Sequence, residues 1–153
     1  MNAVFKSVVT GLVLMAGQAV GHAGERGSAQ EATALVQRAA AYMKANGKDR
    51  LLAEASKQKG QFIDRDLYLS VYDMNGKVLA HGANARLVGI DATQVRDADQ
   101  KYFVQEILSR ARTAGTGWVD YKWVDPVSKK IEDKATYLLK SGDVVIASGY
   151  YKQ

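Results

Sequence analysis

Three strand-like stretches near the C-terminus carry the groups in this chain best suited to handling a small molecule. They are Gly115-Thr-Gly-Trp-Val-Asp-Tyr-Lys-Trp-Val-Asp-Pro126, Lys134-Ala-Thr-Tyr137 and Gly149-Tyr-Tyr151. Lys134 sits mid-strand among apolar neighbours. Facing inward, it would neutralise a guest carboxylate, because a buried charge without a partner is very costly; facing outward, it is a solvated strand lysine. Arg86, in a polar stretch, is a second candidate cation, with solvated loop charge as the alternative. Tyr121 and Tyr137 each offer a hydroxyl on an otherwise apolar ring, and Tyr68 does so on an earlier strand; plain core packing is the competing role for all three. Trp118 and Trp123 fall on opposite faces of one strand, and the Tyr121 face selects Trp123 for a pocket wall. His81, at a strand end beside Gly82, can hydrogen-bond a guest or cap the strand. A wall that is both apolar and hydroxyl-rich suits binding of a small anion better than bond breaking.

Catalytic and metal chemistries find little to work with. The chain has no cysteine and two histidines, His22 and His81, which excludes disulfides, thiolate metal sites and cysteine nucleophiles. No serine lies in a nucleophile-elbow context. A hydrolase or isomerase would have to pair His81 with an aspartate such as Asp91, Asp97 or Asp99. Those aspartates also raise calcium, but Asp97-Ala-Asp-Gln-Lys101 lacks the third oxygen ligand, the glycine and the late glutamate of a calcium loop. Neither metal nor cofactor is expected.

The elements that must position these groups follow from period and punctuation. Ser28-Ala-Gln-Glu31 has the form of a capping box, and Ala32, Leu35, Val36, Ala39 and Met43 then keep helical spacing up to Asn46-Gly47. A short second helix is expected from about Asp49 to Lys59. Leu67 to Asp73 alternates, with Leu67, Leu69 and Val71 on one face and Tyr68, Ser70 and Tyr72 on the other; Asn75-Gly76 turns the chain back into Lys77 to His81. Gly82 to Asp99 reads as a long ordered loop. Phe103, Val104, Ile107, Leu108 and Ala111 form one apolar helical face. Strands over about 117–124, 130–140 and 144–151 close the chain, with Val119, Tyr121 and Trp123 sharing a face.

The N-terminus bears on location. Within Met1 to Ala23 the one charge is Lys6, followed by an apolar run from Val8 to Ala16 and by Gly21-His-Ala23. This is the order of a secretory signal peptide cleaved after Ala23. The run is shorter than the roughly 18 apolar residues of a spanning helix; an uncleaved anchor is the alternative. Of 153 residues, 130 would remain, enough for one domain, with residues 24–29 as a linker and 30–153 as the domain. The chain carries 21 basic and 16 acidic residues, and losing Lys6 leaves 20 against 16, or +4. These charges are interspersed, with no nucleic-acid footprint.

In the order and spacing of several pieces the chain resembles the single Cache domain, the PAS-like extracytoplasmic sensor module of bacterial chemoreceptors and histidine kinases. The pieces are Phe62-Ile-Asp-Arg-Asp-Leu-Tyr68, Tyr72-Asp73 with Asn75-Gly76, Leu79-Ala-His-Gly82 with Asn84, Leu87 and Gly89, and Asp97 to Phe103. They continue through Gly117-Trp118, Tyr121, Trp123 and Asp125-Pro126 to Lys134-Ala-Thr-Tyr137 and Gly149-Tyr-Tyr151. The resemblance spans about residues 30 to 153. It implies an α+β fold: a five-stranded antiparallel sheet with a long N-terminal helix and a helix packed on the sheet. It also implies a pocket between the sheet and the long loop for a small organic acid of the lactate, pyruvate, acetate or propionate type. Gln100 stands where the family usually has glycine. No kinase, methyl-accepting region or transmembrane helix follows Tyr151, so the expectation is a sensor module standing alone.

The function expected from these readings is a periplasmic sensory module that binds a small carboxylate without catalysis. Its ligand contacts would come from Tyr68, His81, Arg86, Tyr121, Trp123, Lys134 and Tyr137. The signal would pass to a membrane partner, whether a sensor kinase, a chemoreceptor or a transporter component. A structural or assembly accessory with a filled pocket is the alternative, and a hydrolase or isomerase using His81 the second alternative.

Overall fold

The computed structural model describes residues 26–153. The expected signal peptide, residues 1–23, and the first two residues of the expected linker lie outside the described residues. The capping box forms as the sequence predicts: the Ser28 hydroxyl accepts from the Glu31 N–H, and the Glu31 carboxylate accepts from the Ser28 N–H. It opens α1 (Ala29–Asn46), which buries Ala32, Leu35, Val36 and Ala39, a stripe at helical spacing. Gly47, with φ 93°, breaks the helix and leads into α2 (Lys48–Ala55), four residues shorter at its C-terminal end than expected. The described part of the expected linker is fastened to the domain. The Gly27 N–H donates to Asp66 at 2.7 Å, and Arg26 pairs with Glu132 at 2.5 Å.

Five strands follow: β1 (Ser70–Asp73), β2 (Val78–His81), β3 (Thr116–Val124), β4 (Ile131–Ser141) and β5 (Val144–Tyr151), with α3 (Phe103–Thr113) before β3. They form one antiparallel sheet in the order β2-β1-β5-β4-β3. Strand alternation sends side chains to two separate cores. One, under α1 and α2, contains Leu69, Val71, Val144 and Ile146, with Trp118 and Tyr137 packed against it. The other, under α3 and the 82–99 segment, contains Tyr72, Val78, Val119, Tyr121, Leu138 and Val145, with Trp123 beside it. The expected long loop is ordered by two short 3-10 turns, Ala85–Leu87 and Ala92–Gln94.

The β1–β2 pairing slips by one residue: Tyr72 faces Val78, yet Val71 faces Ala80 and Ser70 faces His81. This bulge matters for the site. In a regular strand, residues three apart point to opposite faces, so Val78 and His81 would be separated by the sheet. The extra residue, Leu79, returns both to the α3 face.

The Asp97–Lys101 turn is held by its first side chain. Asp97 accepts from the N–H groups of Asp99, Lys101 and Lys122. Although desolvation opposes it, these donors hold the Asp97 carboxyl below its ordinary range. Gln100 takes φ 65°, the left-handed conformation the family's glycine would adopt freely. For a residue with a Cβ this costs about 1–2 kcal/mol, partly offset by the extra unfolded-state freedom of glycine. Gln100→Gly is therefore expected to stabilise the domain by about 0.5–1 kcal/mol. Chemical denaturation should show a higher midpoint; an unchanged or lower midpoint would show that the Gln100 side chain contributes more than the strain it imposes.

Candidate functional site

Between the sheet and the 82–99 segment lies a small, partly open cavity of about 20 Å³. Tyr68, Ser70, Tyr72, His81, Tyr121 and Trp123 line it from the sheet side, Phe103 and Val104 from α3, and Leu87, Ile90, Ala92 and Val95 from the covering segment. Phe103 stacks on Tyr121 with ring centroids 4.1 Å apart and planes 10° apart, and contacts Trp123 at 5.1 Å. The wall is therefore aromatic, with polar atoms only at its sheet end.

Lys134 lies behind that wall: it reaches the lining residue Tyr68 but does not itself line the cavity, and it borders a second depression with Asp97, Asp99, Asp120, Lys122 and Asp133. Its Cα pairs with those of Tyr121 and Tyr151 on the flanking strands, and it is 3% exposed. Its ammonium donates to the Tyr68 hydroxyl at 2.8 Å and lies 4.1 Å from the Tyr68 ring centroid and 5.0 Å from that of Tyr151. No carboxylate lies within ion-pairing distance of it among the described residues. Burial pulls its pKa down to about 7, against the opposing fields of Asp66 and Asp125. A buried cation held only by hydroxyl and ring contacts is the arrangement an incoming anion completes.

The hydroxyls around it are linked. Tyr68 and Tyr151 lie oxygen to oxygen at 3.4 Å, Tyr151 donates to the Val124 carbonyl at 2.6 Å, and Thr136 donates to the Tyr121 hydroxyl at 3.0 Å. Burial raises the pKa of Tyr68, Tyr121 and Tyr151, so all three stay neutral hydrogen-bonding groups. The ring of His81 packs 5.0 Å from that of Tyr68. Its Nδ1 accepts from the N–H groups of Ala83 and Asn84, which leaves the proton on Nε2 as a donor. Burial, then the charge of Lys134, lowers the His81 pKa to about 3, so the ring is neutral at any physiological pH. Gly149 admits the lysine: a Cβ there would lie 2.7 Å from Lys134 Cε.

Of the seven residues expected from the sequence, Tyr68, His81, Tyr121 and Trp123 line this cavity, and Lys134 lies behind it against Tyr68. Two others are not brought to this cavity. Tyr137 lies on the other side of the sheet, against Trp118 at 5.4 Å under α1, because it is three residues from Lys134 on a regular strand. Arg86 is exposed in the first 3-10 turn and does not line the cavity. The acid–base pair that an enzyme using His81 would need is not assembled. His81 Nδ1 is occupied by backbone donors, while Asp91 accepts from Thr93 and Asp97 from its own turn. Ser70, Tyr72 and Phe103 line the cavity and Tyr151 lies beside Lys134, although sequence reasoning selected none of them. For Ser70 and Tyr72 the signal was present, since they alternate on the Tyr68 face. For Phe103 and Tyr151 it lay in strand register and helix packing.

Such an architecture, an antiparallel five-stranded sheet with a small pocket under a covering segment and a long helix behind, defines a PAS-like sensor domain. The sequence matches the single Cache domain 2 family over residues 6–153, and the chain belongs to that family. Cache domains are extracytoplasmic ligand-binding modules of chemoreceptors and sensor kinases. Among curated proteins the chain is 32% identical over 90 residues to the methyl-accepting chemotaxis protein McpP of Pseudomonas putida, covering 58% of this chain and 16% of that protein. It is 30% identical over 89 residues to the sensor histidine kinase MctS of Rhizobium johnstonii, covering 57% and 19%. The chain thus spans less than a fifth of the length of these relatives. Among solved structures it resembles the periplasmic sensor domain of a chemotaxis protein, with TM-score 0.65, 25% identity and coverage of 81% of this chain and 90% of that one. A Cache chemosensory domain solved for its recognition of carboxylic acid shares the fold, with TM-score 0.63, 20% identity and coverage of 81% and 88%.

Proposed function

We propose that this chain is a periplasmic sensory module that binds a small organic acid and passes its occupancy to a membrane partner, without catalysis. The observation that carries the reading is Lys134: a buried ammonium, with no carboxylate within ion-pairing distance among the described residues, directly behind the Tyr68 wall of an aromatic cavity. A guest carboxylate would sit against the Tyr68 hydroxyl and the His81 Nε2–H, taking the Lys134 ammonium from Tyr68 as it enters, with its carbon chain toward Phe103, Val104 and Leu87. Arg86 and Tyr137 have no part in this binding mode. The cavity holds about one or two water-sized groups. Only two- or three-carbon acids of the acetate, lactate, pyruvate or propionate type are therefore within reach, and these require the 82–99 segment to move outward. Recognition of carboxylic acid by a neighbour of the same fold supports this class, and the kinship to a chemoreceptor and a sensor kinase supports a membrane partner of that kind. Residues 1–23 are read as a leader removed on export.

A thermal-shift screen against two- to six-carbon acids, amino acids and amines tests the proposal. A true ligand stabilises the folded state by RT ln(1 + [L]/Kd), about 2.7 kcal/mol at a hundredfold excess over Kd. For a domain of this size the melting temperature should rise by about 10 °C. The small volume of the cavity also favours a second reading, an accessory protein whose pocket is filled by its own side chains. Absence of any shift at millimolar acid would select that reading, and a shift with amines alone would refute the anion argument.

A further inference from the structure

The β3–β4 hairpin carries a surface that the pocket does not use. Val124, Val127 and Ile131 are 46%, 56% and 60% exposed, the three most exposed large aliphatic residues described, and Val124 and Ile131 are direct cross-strand partners. Three successive side chains, Lys129, Lys130 and Ile131, are exposed there, and Val127 projects from the turn between the strands. The tip is therefore apolar and basic at once: Asp125 is buried and accepts from the N–H groups of Val127 and Ser128, Glu132 pairs with Arg26, and the exposed Asp133 lies just below the tip.

The ends of the domain gather at the same place. Arg26, the first residue described, is held by Glu132 and lies 3.7 Å from Asp125, so the described chain enters the domain at this hairpin. At the other terminus the Lys152 N–H donates to the Asp133 carbonyl. The opposite end of the domain differs in chemistry: α1 ends there, and Lys48 at the start of α2 pairs with Asp143 in the β4–β5 turn.

We propose that the β3–β4 hairpin tip, residues 124–131, is a docking surface for an anionic lipid bilayer. Val124, Val127 and Ile131 enter the headgroup region while Lys129 and Lys130 meet lipid phosphates, which sets the domain upright with its chain ends toward the membrane. Aliphatic groups flanked by lysines have the chemistry of an interfacial anchor, where buried apolar area and attraction to anionic lipid add.

Because the chain has no cysteine, single-cysteine labelling of the full-length protein locates the contact directly. Val127→Cys and, at the far end of α1, Lys44→Cys each carry an environment-sensitive fluorophore. Both are mixed with vesicles of phosphatidylcholine containing phosphatidylglycerol and a lipid-borne spin-label quencher. The expected result is quenching at 127 and not at 44, whether or not the N-terminal segment also inserts. Adding Lys129→Gln and Lys130→Gln should weaken the 127 signal about fivefold for each lysine. An unquenched 127 label, equal quenching at both positions, or indifference to the lysine changes overturns the proposal. So does burial of the 127 label without vesicles as protein concentration rises, since that would mark a face for another protein copy.

Discussion

Lys134→Met should abolish the acid-induced rise in melting temperature while leaving the unliganded protein folded. Methionine keeps the unbranched stem among Tyr68, Tyr121, Tyr151 and Thr136 and deletes the charge. In the empty domain that charge is a burden, since no carboxylate lies within ion-pairing distance of it among the described residues and burial lowers its pKa to about 7. Its loss is offset by the loss of one hydrogen bond to Tyr68 at 2.8 Å, so the net change in stability should stay within about 1–2 kcal/mol. Binding is different. Removing one member of a buried charge pair costs about 2–5 kcal/mol, which weakens the acid about thirtyfold to several thousandfold. Calorimetric titration of an acid that shifts the parent should detect no binding to the variant under the same conditions. Equal response of parent and variant would show that the guest lies away from Lys134.

Affinity should also fall steeply as pH rises through neutrality. The folded, empty domain releases the Lys134 proton at about pH 7, whereas a carboxylate guest requires it. Below pH 7 the charge is in place and affinity is flat; above it, each pH unit should weaken binding about tenfold, so that pH 9 is about a hundredfold worse than pH 6. The neighbouring tyrosines and His81 do not titrate in this window. Tyr68, Tyr121 and Tyr151 are raised by burial, and His81 is lowered to about 3. Burial also raises the Asp66 carboxyl. Stability of the empty protein moves oppositely. Because the folded pKa lies below the unfolded value of about 10.4, the unfolded chain holds more protons between those limits. The Lys134 contribution therefore makes the apo domain more stable as pH rises from about 7 toward 10. Titrations at pH 6, 7, 8 and 9 that give one affinity would exclude Lys134 as the anion's partner.

What could be read from the sequence was whatever depends on local pattern. The capping box at Ser28 and Glu31, the Asn46-Gly47 stop, the alternation that puts Tyr68, Ser70 and Tyr72 together, and the shared face of Val119, Tyr121 and Trp123 all appear as expected. Register between distant strands could not be read. Lys134 and Tyr137 look equally available in one short motif, and only the pairing of Lys134 with Tyr121 and Tyr151 shows which of them faces α3. The bulge at Leu79, which brings His81 and Val78 to the same face, has no signature in Lys77 to His81. Arg86 attracts attention as a loop cation, but a single 3-10 turn decides its direction. Asp66 and Asp125, buried and separated by 59 positions, give no sign in sequence that both act on Lys134.

Those two carboxylates have a second employment. Asp66 accepts from Gly27 and Asp125 lies beside Arg26, so the groups that steady the charge of Lys134 also hold the place where the chain enters the domain. Two processes that draw on the same charges share a coupling free energy, and such coupling is reciprocal. If an anion at Lys134 alters the hold on Arg26 and Gly27, a pull on that segment alters affinity for the anion by the same factor. The hold on Arg26 and Gly27 would in that sense report on the pocket and also tune it.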